Sequence, residues 1–144
     1  MSAEESKAFE RRFFDEFMNK GNLALLDELL TPDFVDHSTF PGFAPDREGE
    51  KQMWATFFPA FPDFHSTLED TVAEGDKVAT RFTARGTHKG EYMGIPPTGK
   101  RVTVTGIAIH RIKGGKMAEN WANIDMLGML QQLGVAPVPG QAGG

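Results

Sequence analysis

The run Gly115-Lys116-Met117-Ala118-Glu119-Asn120-Trp121-Ala122-Asn123-Ile124-Asp125 reads as a β-strand that ends at a helix. With a side-chain period of two, Met117, Glu119, Trp121, Asn123 and Asp125 share one face. Ala118, Asn120, Ala122 and Ile124 share the other. The first face therefore carries two carboxylates and an amide around a tryptophan. An apolar helical run follows at once, with Met126, Leu127, Met129, Leu130 and Leu133, so the end of the strand is expected against the core. Carboxylates in such a place are either paired structural groups or a proton-transfer site.

Upstream of this run the same period recurs. Phe64 to Ala73 and Lys77 to His88 flank the turn Glu74-Gly75-Asp76, and Arg101 to Ile112 leads through Lys113-Gly114-Gly115 into the final strand. Four sequential strands joined mostly by tight turns predict an antiparallel sheet. Helices come before them. Ser2 to Lys20 has a Ser2/Glu5 capping box, an apolar stripe of Phe9, Phe13, Phe14, Phe17 and Met18, and a closing Gly21. A second helix starts at Asn22 and runs to Leu30, before Pro32. Asp33 to His37 is a short extended piece. A third helix begins near Asp46, with Glu48 and Glu50 at the positive end of its dipole, and carries Met53, Trp54, Phe57, Phe58 and Phe61 up to the breakers Pro59 and Pro62.

Helices first and strands after mark the α+β class. Several strands are apolar on both faces: Val102, Val104 and Ala108 oppose Ile107 and Ile109. The sheet face away from the helices thus calls for a cover, and a second copy of the chain supplies one, giving a dimer or tetramer through the outer sheet face.

The chain has 144 residues, no cysteine and a formal net charge of -5, with a pI near 5.3. That length suits one domain, assigned to residues 1–134, with a flexible Pro/Gly/Ala-rich tail over 135–144. The absence of cysteine excludes disulfides and thiolate chemistry. The acidic balance and the lack of a basic cluster larger than Lys100-Arg101 argue against nucleic acid and anionic membranes as partners. No signal peptide or bilayer-length apolar run is evident, so a cytoplasmic protein is expected. Twelve Phe and two Trp against one Tyr suit either an enclosed apolar cavity or a phenylalanine-rich core. The connection Lys89 to Lys100 is long for a small domain, as functional lids often are.

The run Gly86-Thr87-His88-Lys89-Gly90-Glu91-Tyr92-Met93-Gly94-Ile95-Pro96-Pro97-Thr98-Gly99-Lys100 resembles the GTHxGxxxGIPPTGK signature of the SnoaL-like polyketide cyclases. Asp33-Phe34-Val35-Asp36-His37, Phe61-Pro62-Asp63, and the path from Gly114 through Glu119, Trp121 and Asp125 to Gln132-Leu133-Gly134 resemble it too. The resemblance spans about residues 5 to 134. It implies a cone-shaped α+β barrel of the nuclear-transport-factor-two-like type, a curved, mainly antiparallel sheet wrapped on three N-terminal helices around an apolar pocket. It also implies cofactor-free aldol ring closure, with Asp125 as the position matching the family's base.

The residues support that chemistry in outline. An aldol closure needs a base for a carbon-bound proton, a donor for the enolate oxygen, and exclusion of water. Asp125 beside Trp121 is the candidate base, with helix capping at Met126 as its structural alternative. His110 shares a face with Val102, Val104 and Ala108, and is the candidate partner of the base or donor to the enolate, or else a satisfied core group. His37, Trp54, Phe58, His88, Tyr92, Trp121 and Asn123 are the expected substrate-binding walls. Glu119 joins by parity, or pairs with Arg81 or Arg111. His65 is expected to face solvent. No metal is called for, since HxH and HxxxH spacings do not occur, and the lack of any other cofactor is what the resemblance implies. The expected ligand is a small apolar or aromatic carbonyl compound. The alternative readings are a ligand-binding or oligomerising module without catalysis, and an isomerase or hydrolase using the same pocket.

Overall fold

Ser2 accepts a hydrogen bond from the Glu5 backbone N–H at 3.1 Å, the predicted cap of helix α1 (Ala3–Arg12). These positions come from a computed structural model, which describes residues 2–138. The sequence spacing predicts one uninterrupted helix to Lys20. Instead α1 widens into a π-turn at Phe13–Phe17 and tightens into a 3₁₀ turn at Met18–Lys20. Gly21, at φ 62°, then reverses the chain. A wider turn brings Phe13, Phe14 and Phe17 inward together, and all three are buried.

The second helix is shorter than predicted: a 3₁₀ turn at Leu23–Leu25 leads into α2 (Leu26–Leu29). Leu30 already opens strand β1 (Leu30–Asp36). Pro32 explains the early end, because it lacks an N–H and drives the preceding Thr31 to extended geometry. Helix α3 (Arg47–Ala60) starts where predicted, with the Asp46 carboxylate accepting from the Gly49 N–H at 2.8 Å.

The four predicted strands are β2 (His65–Glu74), β3 (Lys77–Thr87), β4 (Arg101–Lys113) and β5 (Lys116–Ile124). They pair antiparallel in sequence order. The extended piece at Asp33 to His37 proves to be part of a fifth strand, β1, which lies parallel to β5. The sheet order is therefore β1-β5-β4-β3-β2, mixed rather than wholly antiparallel, with β1 and β2 as open edges. Pro32 is tolerated because β1 is an edge. The architecture is the expected α+β class, with a curved sheet that stays open.

Register on β5 departs from simple alternation. Ile112 pairs with Met117 but Arg111 pairs with Glu119, so β5 carries one extra residue there. Met117 and Ala118 are both buried as a result. A bulge of this kind moves every later side chain to the opposite face. Asn120 and Ala122 therefore face inward, while Glu119 and Trp121 face out, the reverse of the strict parity.

The core lies between the helices and the inner sheet face. Phe17, Leu26, Leu29, Leu30 and Val78 are fully enclosed there. A second cluster of Ala60, Phe61, Tyr92, Val102, Val104, Met129 and Leu133 closes the other end, under helix α4 (Met126–Gln132). Between the two clusters the packing opens into a cavity of about 340 Å³.

The long connection after β3 is fastened over that end rather than loose. The N–H groups of Lys89 and Gly90 both donate to Ala60 O, and Tyr92 and Ile95 form an isolated bridge. On the far face of the sheet, Ile107 and Ile109 are 54% and 40% exposed. Of the tail, Val135 N–H donates to Leu130 O and Gln131 Nε2 to Pro137 O, while the remainder of the segment expected to be flexible lies outside the described residues. Among the described residues no helix is long and apolar enough to cross a membrane.

Candidate functional site

Three polar residues lie side by side across the inner face of the sheet. Asp36 of β1 is in register with Asn120 of β5, and Asn120 with His110 of β4. All three line the cavity. Inward-facing polar side chains on neighbouring strands are costly unless satisfied, so their partners define the site.

His110 is met from above by Glu10 of α1. Its Nδ1 donates to Glu10 Oε1 at 2.6 Å, and the two side chains are 6% and 0% exposed. The carboxylate fixes the tautomer, leaving Nε2 as the free nitrogen of a ring that lines the cavity. Phe13, at the start of the π-turn, packs against the imidazole with ring centroids 5.8 Å apart. Glu10 Oε2 has no hydrogen-bond partner among the described residues.

Asp36 is met by Glu50 of α3, and both are buried, at 4% and 7% exposure. Asp36 Oδ1 accepts from the Ser38 N–H at 2.8 Å and from Asn120 Nδ2 at 3.2 Å. Glu50 Oε1 accepts from Trp54 Nε1 at 3.1 Å. Burial, followed by the hydrogen bond and charge of Asp36, pushes the Glu50 carboxyl up to about 9. Glu50 is therefore a neutral acid at neutral pH. The Asn120 Oδ1 is buried without a partner.

The remaining walls are apolar. Trp54, Phe57, Phe61 and Phe64 of the helical side face Phe82, Val104 and Ala108 of the sheet. Gly106 keeps the sheet side open at one point, where a Cβ would stand 2.5 Å from the Phe82 ring that crosses it. Tyr92 enters from the long connection, and its burial raises the phenol to about 12. A mostly apolar chamber with a few convergent polar groups is the usual form of a small-molecule site.

Of the expected site residues, His110, Trp54 and Tyr92 line this chamber, and Asn123 stands at its exposed rim. The others are elsewhere. Phe58 packs behind Trp54 and against Phe17. His88 is fully buried beside the chamber; its Nδ1 accepts from the Thr98 N–H at 3.2 Å and its ring stacks on Phe61, so it anchors the long connection. The bulge carries Trp121 to the outer face, where it stacks on His37 with centroids 4.7 Å apart. His37 Nε2 lies 3.1 Å from Glu119 Oε1, and Arg111 is the cation that binds Glu119. Arg81 pairs with Asp70 instead. His65 is exposed, as expected.

Asp125 stands at the N-terminus of α4. Its carboxylate is exposed and accepts from the Gly128 N–H at 2.9 Å, capping α4 outside the chamber lining. The structural alternative for this residue is the geometry observed.

Glu10, Asp36, Glu50 and Asn120 were not singled out by sequence reasoning as site residues. A signal existed for the two glutamates. Glu10 precedes Phe13 and Phe14 by three and four residues, and Glu50 precedes Met53 and Trp54 by the same spacings, so each lies on its helix's apolar face.

Residues 9–133 match the family described as SnoaL-like polyketide cyclase. The nogalonic acid methyl ester cyclase of Streptomyces nogalater is 28% identical over 119 residues, covering 81% of this chain and 88% of that protein. TsrD from Streptomyces laurentii superposes with a TM-score of 0.84 at 30% identity, over 94% of this chain and 98% of its own. IdmH from Streptomyces antibioticus gives 0.77 at 39% identity, over 90% and 98%.

Proposed function

The chain belongs to the SnoaL-like polyketide cyclase family, and on that premise we propose that it closes a ring in a carbonyl-activated small molecule by an intramolecular aldol step, with His110 as the base. The observation that carries this reading is the Glu10–His110 contact, which pins the imidazole in a wall of the chamber with Nε2 free. The relative named a nogalonic acid methyl ester cyclase supports the class of reaction.

A carbon flanked by two carbonyls is acidic enough for a histidine to deprotonate. His110 Nε2 takes that proton, and the Glu10 carboxylate stabilises the imidazolium that forms. The enolate carbon then attacks a ketone carbon of the same molecule, making the new ring bond. Substrate and product have the same composition, so the step needs no oxidant, reductant or co-reactant. The aromatic walls hold the rest of the substrate dry and folded. Beside His110, the unpartnered Asn120 Oδ1 accepts a hydrogen bond from a substrate hydroxyl.

The test uses purified protein with nogalonic acid methyl ester and a panel of aromatic β-ketoesters as probes. Mass spectrometry should find a product of unchanged mass in which a ketone of the substrate has become a hydroxyl. His110→Ala should lower kcat by about 10²–10⁴-fold with KM nearly unchanged. If the wild type turns over no member of the panel, ring closure is the wrong reaction.

A further inference from the structure

The inner chamber holds two acids that the ring-closure reading leaves unused. Asp36 and Glu50 come from separate elements, β1 and α3, which pack on each other; both side chains line the chamber, and Asp36 is the charged neighbour that the Glu50 carboxyl feels. Neither is paired with a cation among the described residues. Of the cations on neighbouring elements, Lys51 binds Asp27, His37 turns to Glu119 on the outer face, and Arg85 stands exposed at the rim. From β5 Asn120 faces Asp36, and from β4 His110 follows Asn120 in the row.

Two ionised carboxyls cannot share a buried apolar site without a counter-ion. One of them must hold a proton. Asp36 Oδ1 accepts from two donors, the Ser38 N–H and the Asn120 amide. Glu50 has only the neutral indole N–H of Trp54. The proton therefore belongs on Glu50.

Resting on the ring-closure reading, we infer that Asp36 and Glu50 share one proton and that Glu50 delivers it to the oxygen of the closing ring. As the new carbon–carbon bond forms, the ketone π-electron pair moves onto its oxygen, and that oxygen takes the Glu50 proton. The carboxylate left beside Asp36 is a strong proton acceptor. The proton that His110 removed from carbon replaces the one lost, so no net proton is gained or released. The high affinity of Glu50 for its proton, at about 9, agrees with this assignment. Glu50 then acts as the catalytic acid, and Asp36 and Trp54 as positioning residues.

The experiment combines infrared titration of the free protein with pH profiles of kcat. In the wild type a protonated-carboxyl C=O band should persist above pH 7 and vanish near pH 9, and Glu50→Gln should lack it. With the methyl ester as probe, wild-type kcat should fall on the alkaline side at about the same pH. Glu50→Gln should lose about 10²-fold in kcat, with KM within about threefold, and should lack that alkaline limb. Asp36→Asn, which removes the neighbouring charge, should move the limb to lower pH. A wild type without the band, or a limb unchanged in Glu50→Gln and Asp36→Asn, overturns the inference. A band that titrates in a protein with no turnover sinks ring closure while upholding the shared proton.

Discussion

Glu10 Oε1 accepts from His110 Nδ1 at 2.6 Å although the residues are 100 positions apart, and neither side chain reaches solvent appreciably. This contact joins the first helix to the fourth strand at the chamber wall. Glu50 over Asp36 repeats the arrangement from the third helix. Each helix thus lowers one glutamate onto a polar row that otherwise runs unshielded through an apolar interior.

Glu10→Gln tests the orienting role. A glutamine keeps the shape but removes the negative charge that stabilises the imidazolium. Loss of such a partner to a working histidine costs about 10–100-fold in activity. We expect a fall of that size in kcat with KM little changed, measured by steady-state kinetics on the methyl ester. The melting temperature should also drop, because a hydrogen bond to a charged group contributes about 1.5–3 kcal/mol.

Asp125→Ala separates the two assignments of the base. The structure gives Asp125 a cap on α4, and loss of a cap costs about 1 kcal/mol. Denaturant unfolding should register that loss. Turnover should stay within about twofold of wild type, since the carboxylate lies outside the chamber lining. A loss matching that of His110→Ala would return the catalytic role to Asp125.

How much of this was legible in the sequence depends on the distance over which each feature is decided. Capping boxes, hairpin turns and strand periods are local, so Ser2, Asp46, Gly75 and the inward face of β4 with His110 were all readable. The bulge at Met117/Ala118 was not, because it arises from pairing with Ile112 and Arg111 and leaves no mark on composition. That single extra residue exchanged Trp121 for Asn120 in the chamber. From the sequence, Asp36 reads only as part of a short extended piece and Glu50 only as an acid at the positive end of a helix dipole. Their meeting depends on how β1 pairs with β5 and where α3 settles.

Glu119→Gln tests the outer cluster. Hydrogen bonds from Arg111 and then His37 hold the Glu119 carboxyl below the usual glutamate range. A depressed folded-state value stabilises the fold above the unfolded value of about 4.5 and loses that contribution as pH falls through the folded value. Wild-type protein should therefore lose melting temperature as pH falls below about 4.5 more steeply than Glu119→Gln. At pH 7 turnover should be the same in both, as Glu119 faces away from the chamber. A parallel pair of melting curves would rule out the ion pair as a pH-dependent contribution.

Gly90→Ala tests whether the long connection is fixed to α3. A Cβ at position 90 would lie 2.8 Å from Pro59 O, while the Gly90 N–H donates to Ala60 O at 3.2 Å. The backbone cannot keep that contact with any larger residue. We expect a loss of about 1–3 kcal/mol in stability and a rise in KM as Tyr92 leaves the wall. Amide hydrogen exchange should show 88–100 opening faster than β3 and β4. Unchanged exchange in the variant would mean that the connection is held without the Gly90 contact, by the Lys89 N–H on Ala60 O and the His88–Thr98 hydrogen bonds.

Glu50→Gln makes a stability prediction independent of any substrate. Glu50 binds its proton up to about pH 9 in the folded protein and only to about 4.5 when unfolded. Between those values the folded state holds more protons than the unfolded state, so wild-type stability must fall as pH rises, by at most ~1.4 kcal/mol per pH unit. Above pH 9 the effect ends. Glutamine has no proton to lose, so its stability should stay level over the same window. The difference in urea-unfolding free energy between variant and wild type should therefore move steadily in the variant's favour from pH 5 to pH 9. A constant difference would mean that Glu50 is ionised in the folded protein, and Asp36 would then need a cation that the structure does not provide among the described residues.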